Sequence, residues 1–172
     1  LSFLAFGFDM AVEAPVYDLE RVVFCQTQPV WVGPDVGDYL MTRDPFLGIA
    51  KDCMTIHPYY EPTMFYGWLH AVGTGGLSAY GGMPVFHAFY RMYLRHGIPW
   101  GKVNADVLTW SQRQLSQGMH REGESVSDAT RASFYYAFGI TPDAQLIIED
   151  LYDRFAINYD VTCAVFQPSM PY

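Results

Sequence analysis

The chain has 172 residues, of which 51% are apolar, 17% aromatic and only 16% charged. That suits one domain with a packed core and is too apolar for intrinsic disorder. With 18 acids against 10 bases the net charge is -8 and no basic stripe is visible, so nucleic acid is not expected as a partner.

Residues 1–8 are apolar but lack a basic leader, so they are not read as an intact targeting segment. Residues 1–62 are predicted to form an extended arm rich in proline and aromatics. Short strands are expected at Arg21–Cys25 and Val30–Val32, bounded by Pro29, Gly33 and Pro34. Asp44-Pro45 opens a short helix to about Met54, because the aspartate caps free amides and proline occupies the first helical position. Cys25, Cys53 and Cys163 are odd in number and lack a CxxC pair, so they are read as separate thiols, with one disulfide as the alternative.

Residues 63–97 form the next unit, a Gly-rich helical segment in which residues 63–90 contain no Asp, Glu, Lys or Arg. Gly67, Ala71, Gly75 and Ala79 recur at spacing four, with Thr74, Ser78 and Gly82 on the adjacent row. On a helix these rows make a small-residue packing face of the kind that lets two backbones approach closely in a membrane. Residues 64–83 would span about 30 Å, the thickness of a hydrocarbon core. Tyr59, Tyr60, Phe65, Tyr66 and Trp68 at one end and Phe86, Phe89, Tyr90, Tyr93 and Trp100 at the other resemble aromatic belts. Arg91, Arg95 and Lys102 then put the C-terminal half on the cytoplasmic, matrix or stromal side. The alternative is a soluble pair of helices over 62–72 and 84–96 joined by a Gly-rich turn.

Within this segment His70 and His87 are candidate ligands for haem or another macrocycle, since an imidazole on an uncharged helix suits axial ligation. The plainer reading makes each a hydrogen-bonded packing residue. The sequence GTGGLSAYGG lacks the lysine and register of a phosphate loop, and no metalloprotease or serine-hydrolase motif occurs. No catalytic residue or metal ligand is assigned.

Residues 98–157 are predicted to form a helical domain. Asn104 opens one helix ending at Gly118, and Ser125 or Ser127 opens another ending at Gly139. Thr141-Pro142-Asp143 starts an amphipathic helix with Ala144, Ile147, Ile148, Leu151, Tyr152 and Phe155 on its packed stripe and Glu149, Asp150 and Asp153 turned to solvent. Residues 158–172 read as an extended tail.

The expected fold class is therefore mainly α: short to medium helices between extended N- and C-terminal arms, with a Gly-rich, membrane-embedded helix at 64–83 as one reading. The function this favours is a non-catalytic accessory subunit of a large membrane-bound respiratory or photosynthetic complex. It would sit in a mitochondrial inner membrane or thylakoid, contacting other subunits and lipid. Two alternatives stand beside it: a soluble helical enzyme with a pocket near His70 and His87, and a structural protein of a shell or filament.

Overall fold

The computed structural model describes residues 3–9, 14–33, 39–55, 61–99 and 120–159. The helix expected from Asn104 to Gly118, Cys163, and the tail beyond Tyr159 lie outside these residues.

Short 3-10 turns at Phe3–Phe6 and Leu19–Arg21 precede an antiparallel ribbon of β1 (Thr27–Trp31) and β2 (Tyr39–Arg43). The register pairs Thr27 with Arg43, Pro29 with Met41 and Trp31 with Tyr39. Ahead of β1 the chain reverses through a two-residue turn. Phe24 and Thr27 exchange both backbone hydrogen bonds at 2.9 Å, and Cys25 and Gln26 sit at φ 50° and 62°. Positive φ at both central residues matches the right-handed twist of a tight hairpin, a geometry usually given to Asn-Gly.

Helix α1 (Pro45–Asp52) follows, with the Asp44 carboxylate accepting from Leu47 N–H at 2.9 Å. Helix α2 (Pro62–Tyr80) then runs unbroken through its glycines to a turn at residues 81–85. There Gly82 (φ 76°) and Val85 (φ 68°) adopt left-handed backbone, and α3 (Phe86–His96) returns along α2. Two helices close the described chain. The first is α4 (Asp128–Phe138), capped by the Ser127 hydroxyl and ended by Gly139 at φ 71°. The second is α5 (Pro142–Arg154), capped by Thr141.

The core is built around α3. Phe86, Phe89, Tyr90 and Tyr93 are buried with Leu69 and Trp68 of α2, Met83 of the turn and Phe134 of α4. Tyr80 stacks on Phe86 at 4.8 Å between ring centres, and Tyr152 of α5 meets Phe89 edge-on at 5.5 Å. Of the aromatics assigned by sequence to a membrane belt, Trp68, Phe86, Phe89, Tyr90 and Tyr93 are thus in this core and Phe65 and Tyr66 pack against it, while Tyr59, Tyr60 and Trp100 lie outside the described residues.

The membrane reading of 64–83 is overturned. Among the described residues, no helix is long and apolar enough to cross a membrane. The cause is composition: glycines, Thr74, Ser78 and His70 dilute the apolar residues of α2, and α2 already packs on α3 of its own chain. Where the backbones close up, the glycines concerned are Gly73 and Gly76. A Cβ on Gly73 would lie 3.0 Å from the Leu94 backbone nitrogen, and one on Gly76 would overlap the Tyr90 ring.

Helix α5 packs only half of its expected stripe: Ala144, Ile148 and Tyr152 lie against the core. Ile147, Leu151 and Phe155 are 63%, 60% and 58% exposed, while Gln145 is buried and Glu149 turns inward. Cationic and amide groups of α4 and the α2–α3 turn need a carboxylate there, and meeting them leaves the other half of the stripe outward.

Candidate functional site

Two polar clusters fasten the helices. In the first, Tyr90 donates to Asp52 Oδ2 at 2.5 Å, and Arg43 binds both oxygens of Asp52, at 2.7 and 3.3 Å. The guanidinium also lies 5.4 Å from the centre of the Tyr80 ring, a cation–π distance. Burial and the neighbouring Asp52 charge push the Tyr90 phenol well above its usual range, so it stays protonated. Burial opposes the Arg43 charge, but the hydrogen bond and charge of Asp52 more than offset it. The cluster joins β2, α1 and α3. Next to it Tyr93 donates to Cys53 Sγ at 3.4 Å, and its phenol is raised by burial and by that partner. Cys25 and Cys53 are free and exposed.

In the second cluster Glu149 accepts from Arg131 through two contacts, at 2.7 and 2.9 Å, and from Val85 N–H at 2.9 Å. Gln145 adds bonds to the Arg131 and Ile140 carbonyls at 3.0 and 2.8 Å. A bidentate pair of this kind is stronger than a neutral bond and fixes orientation, so α4, α5 and the left-handed Val85 are held as a unit.

The sequence-selected histidines do not meet. His87 begins α3, and its Nδ1 accepts from Gly82 N–H at 3.0 Å. His70 lies against Gly97 at the other end of α3, about 15 Å away along the helix axis. His70 Nδ1 is buried with no hydrogen-bond partner among the described residues. Burial and then Arg91 push His87 below its usual pKa, keeping it neutral. It lines an open groove of about 890 Å³ with Arg91, Arg95, Arg131, Glu122 and Glu124. Arg95 is occupied by the Tyr152 and Phe155 carbonyls and Arg131 by Glu149, so the groove is not a cationic trough.

The proposed small-residue rows are divided by the fold. Gly67, Ala71 and Ser78 are buried on α2, and Gly82 is buried in the turn. Thr74 is exposed, Ala79 is half-buried, and a Cβ on Gly75 would meet open space. Sequence spacing missed Gly73 and Gly76 because it selected rows four apart, whereas the contact follows the crossing of α2 over α3.

A third arrangement had no sequence signal beyond its individual residues. Gln28 of β1 donates from Nε2 to the Glu20 carbonyl at 2.9 Å and to the Ala137 carbonyl at 2.8 Å. Ser133 of α4 donates to Glu20 Oε1 at 3.0 Å and accepts from Trp31 N–H at 2.8 Å. The ribbon, the Leu19–Arg21 turn and the end of α4 are thereby pinned together. Among the described residues, no group of three or more His, Cys, Asp or Glu is placed to hold a metal ion.

A family model described as viral RNA dependent RNA polymerase matches residues 2–160. The chain is 40% identical over 167 residues to the RNA-directed RNA polymerase of Oat chlorotic stunt virus, covering 91% of this chain and 22% of that protein. The polymerase of Tobacco necrosis virus is 41% identical over 160 residues, covering 92% and 22%, and that of Groundnut rosette virus 42% over 151 residues, covering 86% and 17%. The chain thus spans about a fifth of the length of the curated relatives it matches. No solved structure matches it.

These similarities overturn the expectation of a non-catalytic subunit of a respiratory or photosynthetic membrane complex, its organelle location, and the exclusion of nucleic acid. The apolar surplus read as lipid contact forms the aromatic core around α3. The net charge of -8 belongs to a chain one-fifth the length of its relatives, and it does not set their electrostatics.

Proposed function

Because the chain belongs to the viral RNA dependent RNA polymerase family, we propose that it is a framework portion of an RNA-directed RNA polymerase. In such an enzyme the 3′-hydroxyl of the growing RNA attacks the α-phosphorus of a nucleoside triphosphate and releases pyrophosphate. Polymerases carry this out at paired divalent metals. The described residues do not fit that group, since none of their acidic or histidine side chains cluster to bind it, and no chemical step is assigned to them.

What the chain contributes instead is a rigid helical body that fixes the β1–β2 ribbon. The observation that carries the reading is the family match over residues 2–160. Exposed Phe3, Leu4, Phe6 and Phe8 at one end, and Val22, Val23 and Phe24 before the ribbon, add support. Contiguous apolar surface of this kind marks contact with other protein, and the relatives extend well beyond the region matched.

The test is incorporation of labelled ribonucleotide by the longer polypeptide that contains this chain. RNA-templated synthesis is expected, with a marked loss in Gln28→Leu, which removes the pin between ribbon and α4. Absence of synthesis by the unsubstituted polypeptide, or synthesis indifferent to an RNA template, would overturn the reading.

A further inference from the structure

Where Gln28 pins the Leu19–Arg21 turn to the end of α4, an open cleft of about 450 Å³ remains, lined by Arg21, Tyr135, Tyr136, Ala137 and Gly139. The two tyrosines are 42% and 53% exposed and lie side by side, with ring centres 5.8 Å apart and planes inclined at 47°. Both walls are fixed from behind: Gln28 bonds the carbonyls of Glu20 and Ala137, each adjacent in sequence to a lining residue, and Ser133 holds the Glu20 carboxylate. Gly139 closes the helix in left-handed backbone, and a Cβ there would meet open space, so its edge of the cleft is clear.

We infer that this cleft receives an unpaired nucleobase of single-stranded RNA, stacked on Tyr135 or Tyr136 and flanked by the Arg21 guanidinium. The inference rests on the polymerase reading and names a substrate contact within it. Aromatic rings and guanidinium planes are the surfaces on which splayed-out bases stack, whatever their sequence, because every base has a π-face. Arg21 already has a local partner in Asp18 at 3.4 Å, which offsets its charge toward an anion and leaves its guanidinium plane as the stacking surface. Tyrosine and arginine also line protein contacts, so the experiment below includes an arm that separates a protein occupant of the cleft from RNA.

The experiment uses the longer polymerase polypeptide and single-stranded oligouridylate carrying 5-iodouridine. Irradiation should join the RNA to Tyr135 or Tyr136, identified by mass spectrometry. Tyr135→Leu combined with Tyr136→Leu should weaken RNA binding by roughly ten-fold, the lower range for one lost stack. The paired phenylalanine substitutions should retain binding. The dependence of affinity on salt should be the same in all variants, since no phosphate contact is removed. Normal affinity in the leucine variant, with crosslinks only elsewhere and RNA synthesis intact, would overturn the cleft assignment and leave the polymerase reading standing. So would shielding of the Tyr135 and Tyr136 rings from hydroxyl-radical labelling before RNA is added and unchanged after, which would make the cleft a protein contact. Failure of the unsubstituted polypeptide to bind or copy RNA would remove both.

Discussion

Helices α2 and α5 both carry more apolar surface than a solvated helix needs, and they dispose of it differently. The surplus of α2 is covered inside the chain: Gly73 and Gly76 let α3 approach, and the Tyr90 ring fills the space where a side chain would stand. Helix α5 turns a polar edge inward, with Gln145 and Glu149 against α4 and the α2–α3 turn, and leaves Ile147, Leu151 and Phe155 bare. Apolarity alone therefore does not say which face is buried. A carboxylate with three waiting donors can bias a helix so that part of its hydrophobic stripe stays bare while Ala144, Ile148 and Tyr152 pack, because a buried donor left without a partner costs about 1–3 kcal/mol.

The largest effect follows from removing that carboxylate. Glu149→Ala leaves Val85 N–H unpartnered and the Arg131 guanidinium with only its long contact to Gln145 Oε1 at 3.5 Å, and a loss of about 3 kcal/mol is expected in denaturant unfolding. An unchanged midpoint would mean that α5 is oriented by its apolar contacts after all.

Next come the adjacent glycines of α2. Gly76→Ala forces a Cβ into the Tyr90 ring, which cannot yield because its hydroxyl is tied to Asp52, and should cost about 2 kcal/mol. Gly75→Ala faces open space and should gain up to about 1 kcal/mol from helix propensity. Equal effects at the two positions would show that α2 and α3 are not in this register.

A smaller effect is carried by pH. The folded-state pKa of His87 is lowered, first by burial and then by Arg91, with Glu149 and Asp153 acting the other way. The unfolded chain therefore binds this proton more readily. Stability should fall as pH drops below about 6.5, until the lowered folded value is passed. Protonation also removes the acceptor that Gly82 N–H uses. His87→Gln should flatten that part of the stability–pH profile, and a profile unaltered by the substitution would count against the linkage.

The smallest effect belongs to the bare stripe. Ile147→Ser and Leu151→Ser should each change the stability of the 172-residue chain by less than about 0.5 kcal/mol. Losses of several times that size would put this face in the core.

Helix ends were legible in the sequence because their chemistry is local. Asp44-Pro45 opens α1, Ser127 and Gly139 bound α4, and Thr141-Pro142 opens α5. Which face each helix buries was less legible, since that depends on partners distant in sequence: Tyr90 for Gly76, Arg131 for Glu149. The turn at Cys25-Gln26 was hidden because neither residue is a usual bearer of positive φ. The Arg21–Tyr135–Tyr136 cleft brings together residues more than a hundred positions apart, and only Gln28, reaching to both walls, explains why they meet. Net charge misled most, because the charge of a chain spanning about a fifth of its relatives' length does not tell whether the longer protein meets RNA.

The central proposal is that the described residues frame RNA synthesis and do not themselves hold the catalytic metals. The direct measurement compares RNA-templated ribonucleotide incorporation with Mn²⁺ affinity in the longer polypeptide, with and without Glu149→Ala. Incorporation should be lost as the helical body loosens, while Mn²⁺ affinity stays the same. Undiminished incorporation, or a loss of Mn²⁺ affinity in a variant that remains folded, would contradict the claim.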